Sequence, residues 1–164
     1  MSLTHVDPTG QARMVDVGEK SPSRRVAIAE GRVRMSPEAF ALVRENAVAK
    51  GDVLRVAEVA GTLGGKRTAD LIPLCHPLPL DALRVECEAV ESIPGVRVTA
   101  TASVTARTGV EMEALTAVGV ACLTVYDMVK AVDRQMVIEG IRLLMKTGGT
   151  RGDWPGAESG AAAG

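Results

Sequence analysis

Aromatic side chains are almost missing from this 164-residue chain: Phe40, Tyr126 and Trp154 are the full set. Reading single-stranded nucleic acid by stacking needs aromatic platforms, so that function class is disfavoured at the outset. A surplus of one charge is missing too. Nineteen Lys and Arg against 20 Asp and Glu leave a formal net charge of −1. Without a global basic field nothing draws the chain to DNA or to an anionic membrane, and any polyanion site must be local. Cysteine is sparse: Cys75, Cys87 and Cys122 form no CxxC pair, which suits reduced thiols rather than a disulfide framework. His5 and His76 are the only histidines, so the usual four-ligand zinc pattern is absent. No run approaches the ~18 consecutive apolar residues that cross a bilayer, and the N-terminal residues lack the charged and apolar regions of a secretory signal. A cytoplasmic protein with no membrane or nucleic-acid partner is expected.

What is present is ordinary globular material, 46% hydrophobic and 24% charged, in a length that fits one core. Residues 1–22 carry Pro8, Gly10 and Gly18 without sustained periodicity and are expected to form an extended arm. Residues 24–35 alternate apolar and polar, with Val26, Ile28, Val33 and Met35 apolar and Gly31 a candidate bulge. That pattern predicts a strand. Ser36-Pro37-Glu38 supplies an N-cap, a first-turn proline and an acid for a helix expected to end near Lys50-Gly51. Asp52 can cap a second helix, although Gly61, Gly64 and Gly65 argue against its staying regular. Pro73, Pro77 and Pro79 make the following segment an irregular loop. Residues 83–92 and 96–105 alternate with period two around Ile93-Pro94-Gly95 and predict a hairpin. A long, mostly apolar stretch from Val110 to Val132 predicts a largely buried helix, and residues 136–145 a last strand. The order β, α, α, β, β, α, β predicts a single α+β domain over 23–149, a ferredoxin-like antiparallel sheet with helices packed on one face. The Gly- and Ala-rich residues 150–164 are expected to be a disordered tail.

Chemistry is concentrated in a few places. In the Asp70–Leu78 loop a histidine, His76, sits between the thiol of Cys75 and Pro77. Rigid loops often display functional side chains, although a buried thiol beside a backbone-satisfied imidazole is the commoner outcome for an isolated pair. Lys66-Arg67-Thr68 follows two glycines but fails the P-loop template, because Arg67 follows the lysine and Ala60 replaces the first glycine. Two adjacent cations remain, suited to phosphate oxygens or to solvent. Thr108 and Glu111 have capping-box spacing, which would occupy Glu111 and leave Glu113 unexplained. Asp127 and Lys130 share a helix face. On so apolar a helix a partly buried Asp–Lys pair is expected, and such a pair can move a proton.

Taken together, Met14-Val15-Asp16-Val17, Lys50-Gly51-Asp52, Lys66-Arg67-Thr68, the DLIPLCHPL run from Asp70 to Leu78, TGVEMEALTA from Thr108 to Ala117, and Tyr126–Val132, with Leu3-Thr4-His5 in the arm, closely resemble the molybdenum cofactor biosynthesis protein C family, the cyclic pyranopterin monophosphate synthases. The resemblance implies a ferredoxin-like subunit in a homohexamer, a trimer of dimers with active sites at subunit interfaces. It implies a small-molecule substrate, 3′,8-cyclo-7,8-dihydro-GTP, supplied by an upstream radical S-adenosylmethionine enzyme, and the products cyclic pyranopterin monophosphate and pyrophosphate. Such a reaction is a phosphorus–oxygen lyase reaction. By the same resemblance Asp127 and Lys130 are an acid–base pair and Lys50 a second catalytic cation. Leu74, Cys75, His76, Met112 and Glu113 would line the substrate pocket, and Lys66, Arg67, Lys146 and Arg25 would hold phosphates or support the interface. No cofactor or protein-bound metal is expected, Mg²⁺ carried by the triphosphate being the one ion left open. Two rivals from other classes are a nucleotide-sensing module and a purely structural interaction subunit, which fold alone does not separate from the enzyme.

Overall fold

A computed structural model describes Val6, residues 9–149 and residues 152–156. The expectations for Leu3-Thr4-His5, and for most of the tail, lie outside these residues. Among them the strands are β1 (Ser23–Arg34), β2 (Ala82–Val90), β3 (Gly95–Ala106) and β4 (Val137–Thr147), and the helices α1 (Pro37–Arg44), α2 (Val53–Lys66), α3 (Thr68–Leu71) and α4 (Glu111–Val129). The sheet runs β2-β3-β1-β4 with every neighbouring pair antiparallel. The helices α2 and α4 pack on one face. This is the expected ferredoxin-like α+β arrangement.

Alternation builds the core. Ala27, Ala29 and Val33 of β1 and Val96, Val98, Ala100, Ala102 and Val104 of β3 point to the helix layer and are buried, while their neighbours along each strand face away. With so few aromatics the layers close by bringing backbones together. A Cβ on Gly31 would lie 2.7 Å from Val118 Cγ1, one on Gly61 would lie 2.8 Å from the Ala117 carbonyl oxygen, and one on Gly64 would lie 2.6 Å from Val120 Cγ2. Contrary to the expectation of irregularity, α2 is therefore regular through Lys66, because its glycines form the contact surface for α4 and tertiary packing outweighs their low helix propensity. Pairing of β1 with β4 shifts register between Glu30 and Arg32, as a bulge at Gly31 requires.

Two boundaries differ from the sequence pattern in ways that matter for the site. The first helix stops at Arg44 rather than near Lys50, because Asn46 turns left-handed (φ 53°) and the Ala47 N–H bonds back to the Leu42 carbonyl, a closing turn that asparagine tolerates. Lys50 is thereby placed in a loop. The segment after α2 also holds a further short helix, α3, before the proline-rich loop.

By length and composition α4, with a mean hydropathy of 1.4, could cross a bilayer, and no uninterrupted apolar run was needed for that. Half of it is buried within this fold. Its hydropathy is that of a core helix packed on the sheet and along α2.

Candidate active site

A cavity of about 420 Å³ opens where the start of β1, the end of β4, the start of α4 and the Cys-His loop converge. Its walls include Arg25, Leu74, Cys75, His76, Met112, Glu113 and Lys146, seven of the nine pocket residues named from the sequence. A smaller cavity of about 110 Å³ lies at the other end of β1, around Arg32, Arg34 and Arg97. The larger one is the better candidate, because cations, a buried carboxyl, a thiol and an imidazole face one space.

Each wall residue is held by the fold. Arg25 is on β1, opposite Val104, and its guanidinium approaches the Arg107 carbonyl at 3.4 Å; its Nε is buried without a partner among the described residues. Lys146 is on β4 and its ammonium meets Glu111 Oε1 at 2.7 Å, with the two side chains about one-third and one-quarter exposed. This corrects the capping-box reading. The N-cap of α4 is Val110, with no side-chain hydrogen bond, so Glu111 reaches across the cavity rim to Lys146 instead of back to Thr108. Glu113, in the first turn of the same helix, is only 4% exposed. Burial pushes its carboxyl above the usual carboxylate range, its backbone hydrogen bond opposes this, and the charge on Glu111 adds to the rise. Burial, and then the charge on Glu113, push the Cys75 thiol up, which keeps it a thiol and a poor nucleophile. Cys122 lies fully in the core with its thiol raised by burial to about 12. Among the described residues no group of three His, Cys, Asp or Glu could hold a metal ion.

Lys50, Asp127 and Lys130 form a second cluster elsewhere. Lys50 donates to Asp127 Oδ2 at 2.8 Å and to its backbone carbonyl at 2.9 Å, and Lys130 Nζ lies 2.6 Å from Asp127 Oδ1. The hydrogen bond from Lys130, then that from Lys50, hold the Asp127 carboxyl down at about 2. This pair is not partly buried as expected: the Asp127 and Lys130 side chains are 57% and 51% exposed. Only one stripe of α4 faces the sheet, Val125, Met128 and Val129 in its last turns, and the outer face is left to solvent even where it is apolar, as at Leu123.

The two clusters sit at opposite ends of α4. Residues 113 and 127 are 14 positions apart on that helix, about 21 Å at 1.5 Å per residue. Lys66 and Arg67, at the C-terminal end of α2, are exposed and line neither the larger cavity nor the lysine–aspartate cluster. The wall also holds residues that sequence reasoning missed, including Val15, Val17 and Lys20 of the arm, Arg107, Glu111 and Gly148-Gly149. Their signal was weak because they come from the arm and from element ends, where no periodicity marks a facing side.

The fold and this cavity define a small ferredoxin-like protein with a pocket suited to an anionic, hydrogen-bonding small molecule. The chain belongs to the MoaC family, which it matches over residues 14–149. It is 59% identical over 152 residues to the cyclic pyranopterin monophosphate synthase of Brucella ovis, covering 93% of this chain and 92% of that one. It is 61% identical over 153 residues to the synthase of the same name from Methylobacterium sp. strain 4-46, covering 93% and 96%. Identity of 61% over 151 residues holds for the Methylobacterium nodulans synthase, covering 92% and 94%.

Proposed function

We propose that this chain is a cyclic pyranopterin monophosphate synthase of molybdenum cofactor biosynthesis, a pyrophosphate-releasing lyase acting on 3′,8-cyclo-7,8-dihydro-GTP. The observation that carries the reading is the convergence of Arg25, Cys75, His76, Glu113 and Lys146 on one cavity in a chain about 60% identical to such synthases over nearly its whole length.

The pocket suits the substrate's parts. Arg25, whose buried Nε has no partner among the described residues, and Lys146 supply charge for phosphate oxygens. Glu113 can accept from the N–H donors of a guanine-like edge. Forming the cyclic phosphate breaks the bond between the α- and β-phosphates as a substrate hydroxyl attacks the α-phosphorus. Cations stabilise the departing pyrophosphate, and a base takes the hydroxyl proton. Lys50 and Lys130 are the catalytic cations, held side by side by the Asp127 carboxylate, and rearrangement of the purine-derived ring draws on the same proton relay. Cys75 packs against substrate.

With the two clusters about 21 Å apart along one helix, a single chain does not present both to one nucleotide. The reading is therefore of active sites shared between subunits, and the resemblance to the family makes the assembly a homohexamer, a trimer of dimers, in which the cavity of one subunit faces the Lys50–Asp127–Lys130 cluster of another, with Lys66 and Arg67 near that boundary. The upstream radical S-adenosylmethionine enzyme supplies the substrate, no cofactor is required beyond any Mg²⁺ carried by the triphosphate, and the enzyme works in the cytoplasm.

Incubating the protein with the purified cyclised intermediate tests this. Stoichiometric pyrophosphate and a cyclic pterin monophosphate by mass spectrometry are expected. Return of the intermediate bound but unchanged would make the protein a sensor.

A further inference from the structure

The strand that carries Lys146 lies at the edge of the sheet among the described residues, with β1 on one side of β4 and no further strand on the other. Edge strands leave outward N–H and C=O groups unpaired. At Lys146 both are taken: its N–H donates to the Trp154 carbonyl at 2.9 Å and its carbonyl accepts from the Trp154 N–H at 2.9 Å. Asp153 adds a second tie, its Oδ1 accepting from the Gly148 N–H at 2.9 Å. The glycines between are seated closely. Gly148 and Gly149 have φ of +86° and +93°, and a Cβ on the first would come within 2.3 Å of the Arg24 carbonyl oxygen, one on the second within 2.3 Å of an Arg25 guanidinium nitrogen. Residues 152–156 thus fold back on a segment in which Lys146, Gly148 and Gly149 are all cavity wall and Arg25 is packed against it. The match to the family ends at residue 149, so the fold-back lies beyond it.

We infer that Asp153 and Trp154 form a clamp that positions Lys146 and the Gly148-Gly149 wall beside Arg25, and so sets the affinity of the cavity for the phosphate end of the substrate. The inference rests on the proposed function for the identity of the substrate, but its physical content is anion affinity at a pre-set cation. A lysine with four rotatable bonds holds a position only if its backbone is held, and binding to a site ordered in advance loses less conformational entropy. Neither Asp153 nor Trp154 is among the residues that line the cavity, so these are positioning residues.

Trp154→Pro deletes the N–H that bonds to the Lys146 carbonyl, Trp154→Ala keeps it, Asp153→Ala removes the tie to Gly148, and Asp153→Asn retains an acceptor. Hydrogen exchange at the Lys146 and Gly148 amides reports whether the clamp is open, and calorimetry with inorganic pyrophosphate reports anion affinity without turnover. Trp154→Pro and Asp153→Ala are expected to speed exchange and weaken pyrophosphate binding roughly tenfold, the worth of about one net hydrogen bond. KM should rise by a similar factor with kcat nearly unchanged, and Asp153→Asn and Trp154→Ala should recover most of the wild-type affinity. In a Lys146→Ala background, Trp154→Pro should weaken binding by a smaller factor than in the wild type, since only its effect on the Gly148-Gly149 wall remains. Faster exchange with unchanged pyrophosphate affinity would overturn the clamp, as would an equal loss of affinity in the Lys146→Ala background. If wild-type protein fails to turn over the cyclised intermediate while clamp variants still weaken pyrophosphate, the proposed function fails and the clamp stands.

Discussion

Glu113 shows how one side chain can oppose folding and still serve a site. Its carboxyl is buried beside Cys75 with its proton affinity raised, so the folded state binds more protons than the unfolded one from the ordinary glutamate value up to the raised one. Stability must then fall as pH rises through that window, since the unfolded chain is the better home for the charge. Glu113→Gln keeps the shape and removes the charge. It is expected to raise the melting temperature at neutral pH, flatten its decline with pH, and weaken substrate binding at least tenfold, since a carboxylate contact to donors is lost. Thermal melts across pH 4–8 with parallel substrate titrations check this; a variant no more stable at pH 8 than the wild type would contradict the buried-charge account. Asp127 is the opposite case. More than half exposed between two ammonium groups, its low proton affinity reflects pairing that salt screens, so its worth lies in orienting lysines rather than in holding the fold.

Between elements, the contact that decides the architecture is α2 on α4. Gly61 lies against the Ala117 carbonyl and the Ala121 methyl, and Gly65 against Ala117 and the Glu113 carbonyl. Backbone atoms cannot step aside as a flexible side chain does. Gly61→Ala would gain helix propensity in isolation, yet here it is expected to destabilise the protein by about 1–3 kcal/mol through overpacking, measured by chemical denaturation. A neutral or stabilising result would show that the helices can separate freely. The same contact orients the site: α2 and α4 run past each other, so that α2 starts near the Lys50 loop and ends beside the start of α4, where Glu113 lines the cavity.

At the scale of the whole molecule the chain presents two separate polar clusters, the cavity and the Lys50–Asp127–Lys130 group. The structure puts Lys50 and Asp127 in direct contact within one chain, so subunits carrying Lys50→Ala and Asp127→Ala cannot complete each other's cluster. Asp127→Ala and Lys146→Ala lie in different clusters. If active sites are shared between subunits, an equimolar hybrid of those two variants should recover roughly a quarter of wild-type activity after exchange, from sites that draw both intact residues from different chains. The Lys50→Ala and Asp127→Ala hybrid should stay at the level of the single variants. Recovery by neither hybrid, with exchange confirmed by mass spectrometry, would mean that each site is built within one chain.

Local patterns alone determined much of this protein. Alternation in residues 83–92 and 96–105 marks the hairpin, Ser36-Pro37 and Asp52 mark helix starts with their capping bonds formed as expected, and the long apolar stretch marks α4. Those features depend on neighbours in the chain, where sterics and hydrogen bonding act over a few residues. The pocket residues around Cys75-His76 and Glu113 were legible from a resemblance of motifs. The tertiary structure decided the rest. It made contact surfaces of the α2 glycines, sent Glu111 to Lys146 rather than to Thr108, exposed Asp127 and Lys130, folded residues 152–156 back onto β4, and separated the two clusters along α4. Each of these turns on which surface an element meets across the fold, and burial, ion pairing and close backbone approach have no period in the sequence from which to read them.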